Sequence, residues 1–429
     1  MGLDFGTTNS AVAVVDADGS ARLASFPTPS HESQTFPSLL YFERRSEGST
    51  TRLSSSAGAE AIERYLQAEE RGRLLQSLKA YLGDGRFDGT EIFGRLLTLE
   101  MLIGIMLKHL ISAASQSFDR IPGRIVLGRP VHFSLALSQA DDDLATARLL
   151  AAVKNCGFEE VVFEFEPVAA AYSYEQALER DELIFIGDFG GGTSDFCILR
   201  VGPDVKRRGR TRQDVLGTDG VALAGDAFDR QIIRHVVAPR LGMGSQYISP
   251  PKKFLPIPDW PYQSLERWQY LSCLDTPRVL GMIERLRQTA LVPERLDALA
   301  HLLRHQLGYE LYDAVRQTNF RLSQEPEALF EFQCGPVLIR HIVARTAFEK
   351  WIEPELGAIA TSIDRLLAFT GVSVDDIDRV FLTGGSSFVP AVRQLFVDRF
   401  GTMKIAGGDE LTSVATGLAL RAAEEWGRE

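Results

Sequence analysis

Two short stretches of the chain place an acid at the end of an apolar run and follow it with glycine and hydroxyl residues. Residues 1–10 are MGLDFGTTNS, and residues 183–195 are LIFIGDFGGGTSD. Glycines leave the backbone N–H groups of a turn unshielded, so each turn can bind phosphate oxygens. The acids that end the apolar runs, Asp4 and Asp188, can hold a hydrated magnesium ion. The two stretches therefore predict two half-sites for one phosphate-bearing ligand.

A third apolar run, residues 380–387 (VFLTGGSS), also ends in a Gly-Gly turn. Three such junctions in one chain indicate a nucleotide held by backbone amides of several segments. The chain has no G-x-x-x-x-G-K-[ST] P-loop, and it lacks the H-R-D-x-x-x-x-N motif that would accompany D-F-G in a protein kinase. A purely structural role for the glycines, shaping tight turns, is the alternative, but such turns do not require acids after apolar strands.

The elements that must position these residues are predicted from hydrophobic spacing and from turn residues. Val161 to Phe165 forms a β-type run and Pro167 opens an alanine-rich helix, so Glu166 is predicted at a strand-to-helix junction, where α/β sheets display catalytic side chains. Only three residues precede Asp4, so the first strand is short unless the natural chain begins upstream. The other predicted elements are strands at 11–15, 38–43, 124–127 and 196–201, helices at 57–82, 100–115, 144–153, 413–426 and from Pro390, a polar loop at 46–56 and an exposed basic hairpin tip at 206–210.

Composition excludes several classes of protein. The 429 residues are 45% hydrophobic and 24% charged, which is typical of soluble globular material and long enough for two large domains. A net charge of −11 argues against a nucleic-acid partner, which needs clustered Lys and Arg. The four cysteines are scattered and no secretory leader or long apolar run is present, so we expect a reduced, cytoplasmic protein outside the membrane.

Five motifs in this order resemble the nucleotide-binding domain of the DnaK-type heat-shock chaperones, of the actin, hexokinase and heat-shock ATPase superfamily. Residues 2–10 resemble the first phosphate loop of that family and residues 186–195 the second. The segment EPVAAA at 166–171 is similar to the connecting segment, and LTGGS at 382–386 to the adenosine motif. LAGDAFD at 223–229 is similar to the stretch that enters the helical lobe. The resemblance spans the whole chain and is greatest to the YegD-like branch.

This resemblance implies an α/β fold, the two-lobed actin-like ATPase fold of duplicated ribonuclease H-like domains with inserted subdomains. Lobe I would cover 1–180, with a core of 1–36 and 108–180 and an inserted subdomain at 37–107. Lobe II would cover 181–405, with a core of 181–225 and 330–405 and an inserted helical subdomain at 226–329. The C-terminal helix, 406–429, would return to lobe I.

The resemblance also implies an ATP/ADP site with Mg²⁺ in a cleft between the lobes. Asp4 and Asp188 would anchor the metal through water. Lys79 matches the catalytic lysine within LKAYLG at 78–83, and Glu166 matches the acid that places water or metal. The implied catalytic residues are Lys79, Glu166, Asp188, Asp4 and Thr193. The implied nucleotide-binding residues are Gly6, Thr7, Thr8, Asn9, Gly190, Gly191, Gly192, Thr193, Gly225, Asp226, Arg316, Asn319, Ser323, Gly384, Gly385, Ser386 and Phe388.

The chain departs from the family pattern on the adenine side. Arg316, Asn319, Phe320 and Ser323 stand where the family has Glu, Lys, Arg and Ser, so that only the serine is retained. Phe388 replaces an arginine that stacks on the base, although an aromatic ring still offers a face for stacking. We therefore expect altered base recognition and conserved phosphate chemistry.

The function expected from these residues is that of a slow, magnesium-dependent ATPase whose lobes open and close with nucleotide. It would act as a monomeric switch for an unidentified protein partner or client, and the chain ends at Glu429 without the β-sandwich that binds peptide in the family. Two alternatives stay open. One is a nucleotide-binding scaffold that has lost catalysis, and the other is a sugar or metabolite kinase of the same superfamily. The role of the proline-dense stretch at 250–261 is also open, between a partner-facing loop and a stiff connection.

Overall fold

The computed structural model describes residues 1–28, 31–47, 50–267, 271–274, 276–407 and 411–427. The strands are β1 (Gly2–Asp4), β2 (Asn9–Val15), β3 (Ala21–Leu23), β4 (Phe26–Pro27), β5 (Glu32–Ser33), β6 (Phe36–Pro37), β7 (Leu39–Glu47), β8 (Thr50–Ala57), β9 (Arg73–Gln76), β10 (Gly89–Ile92), β11 (Arg95–Thr98), β12 (Arg124–Arg129), β13 (Glu160–Phe165), β14 (Glu182–Phe189), β15 (Ser194–Val201), β16 (Val215–Val221), β17 (Gln246–Ser249), β18 (Lys253–Pro256), β19 (Glu327–Cys334), β20 (Val337–Ala344), β21 (Arg379–Thr383) and β22 (Ile405–Ala406).

The α-helices are α1 (Gly58–Gln67), α2 (Leu99–Ala114), α3 (Gln139–Lys154), α4 (Glu166–Glu175), α5 (Pro203–Arg208), α6 (Gly225–Ile232), α7 (Trp260–Leu265), α8 (Leu271–Leu274), α9 (Pro277–Arg287), α10 (Pro293–Arg304), α11 (Gly308–Gln324), α12 (Arg345–Trp351), α13 (Glu353–Thr370), α14 (Pro390–Phe400) and α15 (Ser413–Trp426). Among the described residues, no helix is both long enough and apolar enough to cross a membrane.

The chain forms two compact units. The first contains Met1–Ala224, Gly357–Phe388 and Val392–Glu429, and the second contains Gly225–Leu356 and Val389–Ala391. The first unit holds both large sheets. The second is built from helices and two hairpins, β17–β18 and β19–β20, with α11 packed against α6 and β19.

The two large sheets of the first unit have the same topology. One has the order β13-β12-β1-β2-β3, and the other has the order β22-β21-β14-β15-β16. In both, the central strand runs parallel to its neighbour on one side and forms an antiparallel hairpin on the other. Asp4 pairs with Ala11 in the first hairpin, and Asp188 pairs with Asp195 in the second. The predicted duplication is therefore present strand for strand, and the two acids lie at equivalent places.

Two helices join the duplicated halves. α4 packs on β14 and β15, and α15 packs on β1, β2 and β12, while α4 and α15 also pack on each other. Their backbones approach closely, because a Cβ on Gly417 would lie 1.6 Å from the carbonyl oxygen of Ala169. Gly2 is equally confined, since a Cβ there would lie 2.2 Å from the amide nitrogen of Ala419. Glycine at these positions allows the helices to reach the sheet and each other.

Three local predictions are wrong, and two of them concern the small sheet β8-β7-β9. The predicted loop at 46–56 is largely strand, because β7 and β8 pair antiparallel and serines such as Ser54 and Ser55 fit a strand as well as a loop. Residues 48 and 49 of that prediction lie outside the described residues. The predicted helix at 57–82 ends at Gln67, since β9 pairs with β7 and this pairing overrides the helical spacing of the leucines.

The third wrong prediction is the hairpin tip at 206–210. Pro203 begins a short helix, α5, and the turn after it brings Arg210 back against α4 and α15. The Arg210 side chain is 13% exposed and forms ion pairs with Glu175 and Glu424. Its guanidinium also lies over the ring of Tyr172, at 4.1 Å from the centroid. Part of this basic run is therefore structural.

Candidate functional site

A buried ion pair joins two of the predicted catalytic residues. Lys79 lies in a short 3-10 helix, Leu78–Tyr81, and Glu166 is the first residue of α4. The distance between Lys79 Nζ and Glu166 Oε1 is 2.5 Å, and the two side chains are 7% and 8% exposed. Residues 87 positions apart in sequence thus meet at one point. Pairing allows both charges to stay buried.

Three aspartates, Asp4, Asp188 and Asp195, interact electrostatically with both members of this pair. Burial, followed by the charge of Glu166, raises the pKa of Asp4 to about 7 against the attraction of Lys79. Burial and the charges of Glu166, Asp4 and Asp195 raise the pKa of Asp188 well above its usual range. Burial lowers the pKa of Lys79, but Glu166 and Asp4 outweigh it and the net pKa is raised. Four carboxylates therefore share one ammonium group, and the excess negative charge favours an additional cation.

Two glycine turns adjoin these acids. The first connects β1 to β2 and the second connects β14 to β15, where the Gly190 amide donates to the Thr193 carbonyl at 3.0 Å. A Cβ on Gly6 would lie 1.9 Å from the Asn9 carbonyl oxygen, so this turn accepts only glycine there. Thr7 is 8% exposed and lies in the first turn. Turns of this kind present amides and hydroxyls to an anion.

The third glycine turn packs on the second. Gly384 has φ of +82°, and a Cβ there would lie 2.1 Å from the Phe189 carbonyl oxygen. The Ser386 hydroxyl donates to the Gly190 carbonyl at 3.4 Å. Gly385, in contrast, has no atom within 4 Å of a built Cβ. Phe388 ends this segment with 45% of its surface exposed.

Sequence reasoning missed part of the site, namely the segment after β12. The Val131 amide donates to Asp195 Oδ1 at 2.8 Å, and Thr193 also hydrogen-bonds to Asp195. Asp195, at 1% exposure, has its pKa raised to about 7 by burial and by Glu166. Ser134 follows, and a Cβ on Gly192 would lie 2.6 Å from its hydroxyl oxygen.

Asp142 of α3 fixes this segment from the other side. It accepts the Phe133 amide at 2.8 Å and contacts His132 Nδ1 at 2.8 Å. The segment therefore lies between two carboxylates, and the Ser134 hydroxyl is held beside the second glycine turn. Nothing in the spacing of these residues signals their proximity. The signal available was a polar residue shortly after a buried strand, which is common at such sites.

In the second unit, the residues predicted for the nucleoside lie on α6 and α11. Asn319 Nδ2 donates to Asp229 Oδ1 at 2.7 Å, and the Ser323 hydroxyl donates to the Asn319 carbonyl at 3.2 Å. Burial raises the pKa of Asp226 to about 7, although Arg316 opposes this shift. Gly225 is the first residue of α6. Asn319, Arg316 and the two aspartates thus form a polar cluster whose groups partly satisfy one another.

The site fits magnesium bound through water. Within the described residues, no group of three or more His, Cys, Asp or Glu side chains could hold a metal ion directly. Burial and neighbouring carboxylates disfavour the ionised forms of Asp4 and Asp188, and a hydrated divalent cation would offset this cost. Mg²⁺ commonly keeps several waters in phosphate sites, so this donor set and charge suit it.

The duplicated sheets, the shared helix pair and the acids at the ends of the central strands define the class of this protein, the actin-like ATPase fold. Residues 305–428 match the model of the family described as Hsp70 protein. Over 437 residues, 98% of this chain, it is 23% identical to a protein named Chaperone protein dnaK from Cyanidioschyzon merolae (strain NIES-3377 / 10D). The chain spans 61% of the length of that relative. Both findings support the Hsp70 family.

Proposed function

We propose that this chain is a chaperone-type nucleotide-binding protein that binds ATP with Mg²⁺ and hydrolyses it slowly, as a conformational switch for a protein partner. The observation that carries the proposal is the buried Lys79–Glu166 pair, 2.5 Å apart, beside Asp4, Asp188 and Asp195. A purely structural ion pair would not require three further acids at the same place. The similarity to a protein named as a chaperone supports the class.

Each residue has a role in this reaction. Asp4 and Asp188 would orient the waters of the metal, and the hydroxyls of Thr7, Thr8 and Thr193 would bind phosphate oxygens with the loop amides. Lys79 would neutralise charge that develops on the transferred phosphoryl group. Glu166 would accept a hydrogen bond from the attacking water. Magnesium, when bound, supplies charge neutralisation and a fixed geometry for the phosphates.

Hydrolysis of ATP by such residues depends mainly on position and charge. This explains why the pair is buried and held by a short contact. The ammonium of Lys79 is kept charged by its neighbours, as its raised pKa indicates, so it is available as a cation throughout the neutral range. Cytoplasmic location, the monomeric state and the YegD-like branch stay predictions.

The test is single-turnover hydrolysis of ATP with the protein in excess, with Mg²⁺ or with a chelator. We expect Lys79→Ala and Asp188→Ala each to slow the step by about 100-fold or more, as loss of one preorganised charge usually does. Lys154→Ala is the matched control, because Lys154 is an exposed lysine at the end of α3. Unchanged rates in both site variants would refute the ATPase proposal.

A nucleotide-binding scaffold without turnover is the second candidate. The specific observation in its favour is α11, where Ser323 hydrogen-bonds to its own helix and Asn319 to Asp229. The Asn319 amide nitrogen and the Ser323 hydroxyl are engaged within the unit, which supports an altered recognition of the base. Calorimetry that shows tight binding of ATP together with no hydrolysis in wild type selects this candidate.

A further inference from the structure

The proline-dense stretch left open by the sequence folds as an exposed hairpin of the second unit. β17 and β18 pair antiparallel around a three-residue turn, in which the Lys252 amide donates to the Ser249 carbonyl at 2.8 Å. Ile257, 3% exposed, fixes the base of the hairpin through a 2.9 Å hydrogen bond from its amide to the Ser245 carbonyl. The stretch is therefore an ordered strand pair and not an irregular connection.

One edge of this hairpin is covered and the other is open. The Ile248 amide donates to the Thr289 carbonyl at 2.8 Å, and the Gln246 carbonyl accepts from the Leu291 amide at 2.9 Å. In an antiparallel ladder, alternate residues direct their N–H and C=O groups to opposite sides. Because Ile248 directs its groups to the 289–291 segment, its partner Phe254 directs N–H and C=O away from β17. The sheet ends at β18 within the described chain.

The open edge is apolar and basic. All four residues of β18 are exposed, and Phe254 has 59% and Leu255 37% of its surface accessible. Lys252 and Lys253 lie at the tip, and neither forms an ion pair with the part of the chain that the structure describes. Trp260, 43% exposed, begins the next helix. The chain as a whole carries a net charge of −11, so this local positive patch contrasts with the rest.

We propose that β18 is a docking edge for an extended segment of a partner protein that carries alternating acidic and apolar residues and adds as a third strand. The Phe254 N–H and C=O groups would pair with the backbone of that segment, in the manner of β-strand addition. Carboxylates of the segment would meet Lys252 and Lys253, and its apolar side chains would cover Phe254. A second copy paired edge to edge fits poorly, since two β18 strands would bring the lysines of both copies together and Pro256 leaves each edge short of an N–H donor.

The test is fluorescence polarisation with labelled eight-residue peptides of alternating glutamate and valine. We expect saturable binding to the full chain, and binding at least 10-fold weaker for the matching lysine and valine peptide. Two further peptides are N-methylated on alternate residues. One of these peptides has its methyl groups on the N–H groups that would face β18, and it should lose binding. The other has them on the opposite side and should keep binding, because only one side of an added strand makes hydrogen bonds to β18.

Variants separate the contributions of charge and apolar contact. We expect at least 10-fold weaker binding of the glutamate and valine peptide in two variants. One is the double variant Lys252→Glu with Lys253→Glu, and the other is Phe254→Ser. The controls in the same unit are Lys350→Glu and Leu338→Ser, which change an exposed lysine and an exposed apolar residue of another element and leave binding unchanged. Equal binding of the two methylated peptides overturns the proposal. So does binding of the lysine and valine peptide that is as tight as that of the glutamate and valine peptide. Self-association of the chain that is lost in Phe254→Ser assigns the edge to a second copy and overturns it as well.

Discussion

Replacement of Asp195 by asparagine tests whether burial and the neighbouring Glu166 raise the pKa of this aspartate. Asp195 is 1% exposed, and its pKa is raised from 3.8 to about 7, first by burial and then by the charge of Glu166. Its Oδ1 accepts the Val131 amide at 2.8 Å, a bond that the asparagine oxygen can retain. The substitution therefore removes a charge while it keeps the shape and the main hydrogen bond.

The sign of the pH effect follows from the raised pKa. The folded state binds the proton of Asp195 more tightly than the unfolded state, so the stability that this group contributes is complete below pH 3.8 and is lost as pH rises to about 7. A shift of one pKa unit corresponds to about 1.4 kcal/mol, so the wild type should lose roughly 2.5 kcal/mol from this group between pH 5 and pH 8. The asparagine in Asp195→Asn does not titrate, so the variant should not lose this stability between pH 5 and pH 8.

The measurement is urea unfolding of wild type and Asp195→Asn at pH 5 and pH 8, with a chelator to remove divalent cations. Relative to wild type, the variant should gain roughly 2.5 kcal/mol on going from pH 5 to pH 8. An unpaired amide N–H group would add a cost of about 1 to 3 kcal/mol, but this cost does not depend on pH. Asp119→Asn, which replaces an exposed acid in the same way, is the control. A difference between the two proteins that is the same at both pH values would refute the raised pKa.

Three further predictions follow from single contacts. Lys79→Met should destabilise the protein by about 3 to 5 kcal/mol, because Glu166 is left buried without its partner. The double variant Lys79→Met with Glu166→Gln should recover stability in thermal unfolding but should not recover ATP turnover. Gly192→Ala should weaken ATP binding in calorimetry, since its Cβ would meet the Ser134 hydroxyl at 2.6 Å. The control is Gly357→Ala, which lies in α13 with open space around a Cβ and should bind ATP normally. Arg210→Met should lower the melting temperature by several degrees, because Glu175 at 2% exposure loses its partner, and the exposed Arg212→Met should not.

The fold was predictable where sequence and backbone requirements coincide. An acid after an apolar run, followed by glycine, specifies both a buried strand and a turn, and it occurs at Asp4 and again at Asp188. Pro167 likewise marks the start of α4 and hence the place of Glu166. These local signals are strong because each one needs a particular residue type at a particular backbone position.

The rest of the site depends on contacts between distant segments. Lys79 was selected by resemblance, yet the predicted helix around it is a strand and a 3-10 helix, because pairing with β7 determines the backbone there. Asp195 meets the segment after β12 at the Val131 amide, and 64 residues separate the two. No periodicity within either segment encodes that meeting, so the sequence alone could not assign them to one site.

The duplication explains the symmetry of the fold, and its departures explain the location of the chemistry. Asp4 faces Ala11 in one hairpin, whereas Asp188 faces Asp195 in the other, so only the second half adds another buried charge. The helices that follow the outer parallel strands differ in the same way. α4 begins with Glu166, which pairs with Lys79, and α15 begins with Ser413, whose hydroxyl lies 2.7 Å from that of Thr383. In each comparison one half carries the additional acidic residue, which is Asp195 in the second half and Glu166 in the first. A site assembled in this way needs both halves to be folded, and that requirement makes its charges sensitive to the arrangement of the whole first unit.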